Sequence, residues 1–230
     1  MTASHQAIIL AVLGGTGKEG KGLALRWARA GYQILIGSRS FEKATTTAQQ
    51  ILESLDGNAS IGGTTNREAA KAADIVILTV PDLAHRAILE DIKDVMQGKI
   101  LVDVTVPLSS VRGLDLHISP SGSAAQEASV ILGENVQVTS AFQNISYKLL
   151  LNMDSTPSDV LVTGTSKGAR VETLKLVKAA GFTGWDAGPI ENSSVTEGLT
   201  RVLIYINKEY GIKNAGIKIT GVTNDPGAHL

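Results

Sequence analysis

Cysteine is absent from the chain, which excludes disulfides and thiolate metal sites and permits a reducing compartment. Nor is there an excess of either charge. Twenty-one basic and 22 acidic side chains leave a formal net charge of −1, so composition points to no nucleic-acid or polyanion partner. No apolar run approaches the roughly 18 residues that span a bilayer. Residues 1–6 lack the basic start of a signal peptide, and the apolar stretch after them runs straight into a glycine turn, so a cytoplasmic protein with no membrane partner is expected. The four histidines, His5, His85, His117 and His229, show no metal-ligand spacing, Gly-x-Ser-x-Gly does not occur, and no internal repeat or low-complexity linker is found. What remains is 230 residues, 43% hydrophobic and 19% charged, enough for one large core or one large and one small.

The chain is organised around residues 7–39. Residues 7–13 are uninterruptedly apolar, as a strand buried on both faces must be. Gly15-Thr16-Gly17-Lys18-Glu19-Gly20 follows with G-x-G-x-x-G spacing. One glycine permits the turn, the next lets backbone approach a diphosphate, and the third lets the following helix pack on the strand. That helix start supplies free N–H groups and a positive dipole end. Leu23, Ala24, Trp27 and Ala28 give the helix an apolar stripe, Gly31 ends it, and residues 32–37 return as a second strand. The spacing alone is weak, because a glycine turn is often only a packing device. Placed between a strand and a helix it reads as a dinucleotide site in an α/β, Rossmann-like doubly wound parallel sheet.

The tip of the second strand selects the dinucleotide. NAD sites place Asp or Glu there, about 20 residues after the glycines, for the ribose hydroxyls. This chain has Ser38 and Arg39, with Lys43 a helical turn on. A hydroxyl, a guanidinium and an ammonium suit a 2′-phosphate, so NADP(H) is the expected cofactor.

Further along, helices are expected at residues 41–55, 83–96, 121–132 and 167–180, and strands beginning at residue 60 and at 75–80, 100–104, 136–140, 160–163 and 181–186. Ligands of doubly wound sheets lie at the carboxyl ends of strands, which places Thr79, Val80 and Pro81 along the cofactor and Ala141, Gln143, Asn144 and Ile145 near its reactive ring. Asp82 reads as a helix cap, Asp103 as a strand-end residue bonded to backbone, and His85 as a surface helix residue. No catalytic acid or base is therefore expected, which suits direct hydride exchange between two cofactors. The chain changes character near residue 150, so a 1–150 dinucleotide domain and a small α/β domain at 151–230 are expected. A long helix at 192–210 carries an apolar stripe of Val195, Leu199, Val202 and Ile206, widened by Leu203 and Ile204 enough for a dimer contact or a ligand wall. Residues 223–230 read as a loose tail.

With these residues in place the chain resembles the F420-dependent NADP oxidoreductases, especially their methanogen-type members. Four blocks carry the likeness: VLGGTGKEGKGLAL at 12–25, IGSRSFEK at 36–43, LVDVTVPL at 101–108 and NAGIKIT at 214–220. The resemblance implies hydride transfer between NADP(H) and the deazaflavin coenzyme F420. It puts Thr16, Gly17, Lys18 and Glu19 at the pyrophosphate, Ser38, Arg39 and Lys43 at the 2′-phosphate, Leu108 and Ala141 along the cofactor, and Ala215 and Gly216 against the deazaflavin. Where some members carry histidine and proline, this chain has Gln143 and Ser146. A reductase of a flavin, ferric chelate or other small acceptor stands beside that reading, as does a non-catalytic NADP(H) sensor whose long helix docks a partner.

Overall fold

Two short apolar runs, Ile9–Leu13 (β1) and Ile75–Leu78 (β4), pair side by side at the centre of a sheet in the computed structural model, which describes residues 8–108, 120–152 and 158–221. Around them lie Gln33–Ser38 (β2), Ile61–Thr65 (β3), Ile100–Asp103 (β5), Gln137–Ser140 (β6), Asp159–Gly164 (β7) and Thr183–Pro189 (β8), in the order β3-β2-β1-β4-β5-β6-β7-β8. The first six strands run parallel, and one register line joins Gly37, Leu13, Leu78, Asp103 and Ser140, so five strands end level with one another. Their shared carboxyl edge is where a doubly wound sheet binds ligands.

The pleat of β1 shows why both faces must be covered. Leu10 and Val12 enter one core with Leu23 and Trp27 of helix Lys18–Arg29 (α1), Ala44 of Phe41–Ser54 (α2), Leu149 of Tyr147–Leu151 (α6) and Leu174 of Lys167–Ala179 (α7). Ala11 and Leu13 enter the other with Ala69 of Asn66–Ala72 (α3), Leu89 of Asp82–Ile92 (α4) and Ala128 of Ala124–Leu132 (α5). The α1 stripe is buried as its spacing predicts, and Gly31 ends the helix at φ +91°. Helix α3 falls outside the elements read from the sequence although its signal was present. Thr65-Asn66-Arg67-Glu68 is a capping box, and Thr65 Oγ1 accepts from the Glu68 N–H.

β7 pairs antiparallel with β6 and parallel with β8, so residues beyond 150 continue the same sheet. Because β7 runs backwards, its first residues lie at the end where β6 exits. The C-terminal segment docks there: the Asp159 N–H donates to the Ile217 carbonyl at 2.7 Å, and the Ile219 N–H donates to Asp159 Oδ2 at 2.9 Å.

The long helix, Ser193–Glu209 (α8), corrects the expected stripe. Val195 and Val202 are exposed, Leu199, Leu203, Ile204 and Ile206 are half-buried, and the residues of the helix that are fully buried are polar: Ser193, Thr196 and Glu197. Periodicity finds an apolar face but says nothing of which face meets partners, and here the partners are hydrogen-bonding groups. Among the described residues no helix is long and apolar enough to cross a membrane. Ala7, expected to open the first strand, and the tail at 223–230 lie outside the described residues.

Candidate active site

A cleft of about 1030 Å³ opens at the carboxyl edge of the sheet, lined from the ends of β1, β2, β4 and β5, from the turn after β6, and from α8. At one end is the glycine turn. Gly14, one residue before the expected motif, is the left-handed position (φ +71°), and an added Cβ would sit 2.7 Å from Val80 Cγ1. Its N–H donates to Asn66 Oδ1 at 3.3 Å. Gly17 forms the N-cap of α1 without a side-chain cap, leaving the first N–H groups of the helix for an anion. Gly20 brings helix against strand, since a Cβ there would lie 2.6 Å from Thr79 Oγ1. That hydroxyl in turn donates to the Leu13 carbonyl at 2.8 Å. Glu19, half-buried on the first turn of α1, has its carboxyl pushed up to about 8 by burial. Lys18 Nζ lies 4.9 Å from the Tyr147 ring centroid, closing the same end.

At the β2 tip Ser38 is buried, its Oγ accepting from the Ser40 N–H at 3.3 Å, while Arg39 and Lys43 are exposed at the cleft. Among the described residues no carboxylate pairs with either cation. A Cβ at Gly37 would stand 2.9 Å from Asn66 Oδ1, so position 37 has no room for a side chain. An uncapped helix start and two unpaired cations at this spacing fit a dinucleotide that carries a 2′-phosphate.

Thirteen residues singled out from the sequence line this one cleft: Thr16, Gly17, Lys18, Glu19, Ser38, Arg39, Lys43, Thr79, Val80, Pro81, Leu108, Gln143 and Ile145. Five do not. Gly15 is packed beneath the turn, and Ala141 is fully buried. The Asn144 amide donates to the Asp159 carbonyl at 2.8 Å. The Ala215 N–H donates to Asn207 Oδ1 at 2.9 Å, and Gly216 packs on Ser158, whose Oγ would be 2.4 Å from an added Cβ. The amide nitrogen of Gln143 is also engaged by the scaffold, donating to the Asp103 carbonyl and to Ser140 Oγ at 2.7 and 2.8 Å. Between them Phe142 adopts φ +71°, held by edge-to-face contacts with Trp27 and Phe182.

The structure corrects two readings. His85 is buried rather than on the surface, with Nε2 2.7 Å from Asp103 Oδ2; the sequence of α4 offers no sign of this, because its partner lies on β5. Asp82 is the first residue of α4 and Pro81 the N-cap, so Asp82 favours the helix through its charge at the positive end rather than by capping. Asp103 behaves as expected, its Oδ1 accepting from the Thr105 N–H at 2.9 Å. Neither Asp82 nor Asp103 lines the cleft. Sequence reasoning missed Gly14, Asn66 and Thr200, all lining it, while Ile204, read as widening an apolar stripe fit for a dimer contact or a ligand wall, does line the cleft. Gly14 was legible in the Gly14-Gly15 pair; Thr200 had no local signal, because its Oγ1 donates to the Gln143 carbonyl 57 residues away.

Comparison with known proteins agrees with this geometry. Residues 9–107 match the family described as NADP oxidoreductase coenzyme F420-dependent. The F420-dependent NADP reductase of Methanothermobacter marburgensis is 41% identical over 223 residues, covering 93% of this chain and 98% of that protein. Its counterpart in Methanothermobacter thermautotrophicus is 40% identical over 93% of this chain and 95% of that protein. A solved structure from Arthrobacter sp. FB24 superposes with a TM-score of 0.79 at 22% identity, over 94% of this chain and 100% of that one, which shows a shared fold. Similarity at this level covers 93% of the chain, far more than residues 9–107: the chain belongs to the F420-dependent NADP reductase family.

Proposed function

We propose that this chain catalyses reversible hydride transfer between NADP(H) and the deazaflavin coenzyme F420. The observation that carries the reading is the unpaired Arg39 and Lys43 at the tip of β2 in a chain whose relatives, matched over almost their whole length, carry that name. Thr16, Gly17, Lys18 and Glu19 hold the diphosphate; Ser38, Arg39 and Lys43 hold the 2′-phosphate. Thr79, Val80, Pro81 and Leu108 line the cofactor, and Gln143, Ile145, Thr200 and Ile204 wall the acceptor end. When bound, the nicotinamide and the deazaflavin supply the hydride chemistry between them. The protein's part is to bring donor and acceptor into near-attack range and exclude water, with no side-chain acid or base, since neither Asp82 nor Asp103 faces the cleft.

The part after residue 150 covers the acceptor, and the enzyme is cytoplasmic and a homodimer, its exposed Val195, Val202 and Tyr205 on α8 forming apolar surface for a second copy. NADPH should bleach the deazaflavin absorbance in the presence of a fraction eluting at twice the chain mass. Bleaching by no fraction would remove the activity, and bleaching only by the monomer would remove the dimer.

The C-terminal segment is placed against the acceptor half through Ser158 and Asp159. Gly216→Val drives a side chain into Ser158 and displaces that segment. The expected result is an F420 KM raised several-fold, with NADPH affinity kept, because only the acceptor half is disturbed. Unchanged constants for both substrates would show that the C-terminal segment does not shape the acceptor half through Ser158.

A further inference from the structure

Helix α8 is held beside the cleft by polar side chains. Glu197 Oε2 accepts from the Ala124 N–H at 2.9 Å and Oε1 from the Ala125 N–H at 3.2 Å, the first two amides of α5. Beside it Ser193 Oγ lies 2.6 Å from Ser123 Oγ, the N-cap of that helix. One turn beyond Glu197, Thr200 Oγ1 donates to the Gln143 carbonyl at 2.8 Å, and one further turn on Ile204 lines the cleft. A buried carboxyl is a costly way to join two helices, and an apolar pair would pack as well; what the carboxyl adds is direction, since two converging N–H groups set the rotation and height of α8.

We propose that Glu197 is a positioning residue for the acceptor wall: its carboxyl clamps α8 to the start of α5 and so holds Thr200 and Ile204 against the Gln143 turn. The inference rests on the reading of α8 as the acceptor side. The clamp belongs to a buried group of titrating side chains. Asp103 faces it from β5, His85 from α4 at 2.7 Å from Asp103, and Glu127 from α5 at 3.7 Å from His85 Nδ1, with Arg86 paired to Glu127 and Asp82 on the same helix as His85.

Burial and the Asp103 carboxylate push the Glu197 carboxyl from an ordinary 4.5 up to about 8, against the pull of the two α5 amides and His85. For His85, burial alone would lower the pKa, but Asp103, Glu127 and Asp82 raise it on balance. Both groups hold protons more tightly folded than unfolded. Their contribution is therefore complete at low pH and is lost as pH rises, for Glu197 through about 8. On ionising, Glu197 accepts more strongly from the two α5 amides but puts a bare charge in a buried site beside Asp103; burial and repulsion outweigh the gain in those bonds, and α8 is the element that gives way.

The test compares Glu197→Ala and Glu197→Gln with wild type for NADPH affinity, F420 KM between pH 6.5 and 9, and amide exchange of α8 corrected for intrinsic rates. Glu197→Ala should raise the F420 KM by about tenfold, the size expected of one lost buried hydrogen-bond pair, with NADPH affinity within about twofold of wild type. Glu197→Gln, which keeps one acceptor and cannot ionise, should show a smaller rise that no longer varies with pH. In wild type, α8 protection should fall at alkaline pH while that of β1 and β4 holds. Parallel losses of NADPH and F420 binding in Glu197→Ala, or α8 protection in wild type independent of pH, would overturn the proposal. Because amide exchange needs no turnover, a wild type that fails to reduce F420 indicts the proposed function and leaves the clamp to be judged by exchange alone.

Discussion

Replacing Arg39 and Lys43 together by alanine lowers affinity for NADP by about a hundredfold or more at low ionic strength, with affinity for NAD within a few-fold of wild type. Each cation removed takes with it a charge-assisted contact worth about 1.5–3 kcal/mol, or roughly ten- to a hundredfold. Both residues are exposed at the cleft, so the smaller figure applies to each at physiological salt, where exposed charges are screened. The absence of a carboxylate partner for either among the described residues means that nothing within the protein is lost with them, so stability is unaffected. Calorimetric titration with NADP and NAD at two salt concentrations checks this. Equal losses for both dinucleotides would show that the β2 tip does not read the phosphate.

Arg26→Met lowers the midpoint of thermal unfolding by about 10 °C, from a loss of about 3–5 kcal/mol spread over a chain of this size. Arg26 is buried on α1, the same helix whose start faces the cleft, yet among the described residues no carboxylate neutralises it. Its guanidinium donates instead to four carbonyls: Leu150 at 2.8 Å, Leu149 and Asn152 at 2.7 Å, and Ala180 at 2.5 Å. Three of those close the carboxyl end of α6, where the helix dipole favours a cation, and the ring of Phe182 lies 4.7 Å beneath. Burial, with Arg29 nearby, pulls its pKa below the ordinary value, so the carbonyls do not fully repay desolvation. Removing it strands the buried acceptors of Leu149, Leu150 and Ala180 and unfastens α1 from both α6 and the end of α7. Arg26→Lys should not rescue, because one ammonium cannot span the same fork. A midpoint within 2 °C of wild type, followed by circular dichroism, would show that water replaces the guanidinium at these carbonyls.

These two arginines also mark the boundary between what is local and what is not. The β1-α1-β2 unit was legible because each of its instructions acts within a few residues: an apolar run, a turn that only glycine fits, an apolar stripe of period 3.6, and a strand end without an acid. The grouping of Ser38, Arg39 and Lys43 at the β2 tip belongs to the same class, since they are close in sequence as well as in space. Thirteen of the named residues met in one cleft because a parallel sheet places every strand exit on the same edge, a rule of topology that strand patterns are enough to invoke.

The acceptor side followed no such rule. The burial of His85, the buried polar residues of α8 and the docking of residues 215 and 216 on Ser158 all depend on hydrogen-bond partners from distant elements. In α8 the apolar residues recur as periodicity reads, but full burial goes to residues such as Glu197, which satisfies the open amides of α5. By itself the sequence determined the fold class and the glycine-turn end of the cleft, whose physics is short-range backbone geometry and apolar period. The tertiary structure decided the α8 end, because a buried polar group takes whatever position supplies its partner, and that partner lies as far as 73 residues away for Glu197.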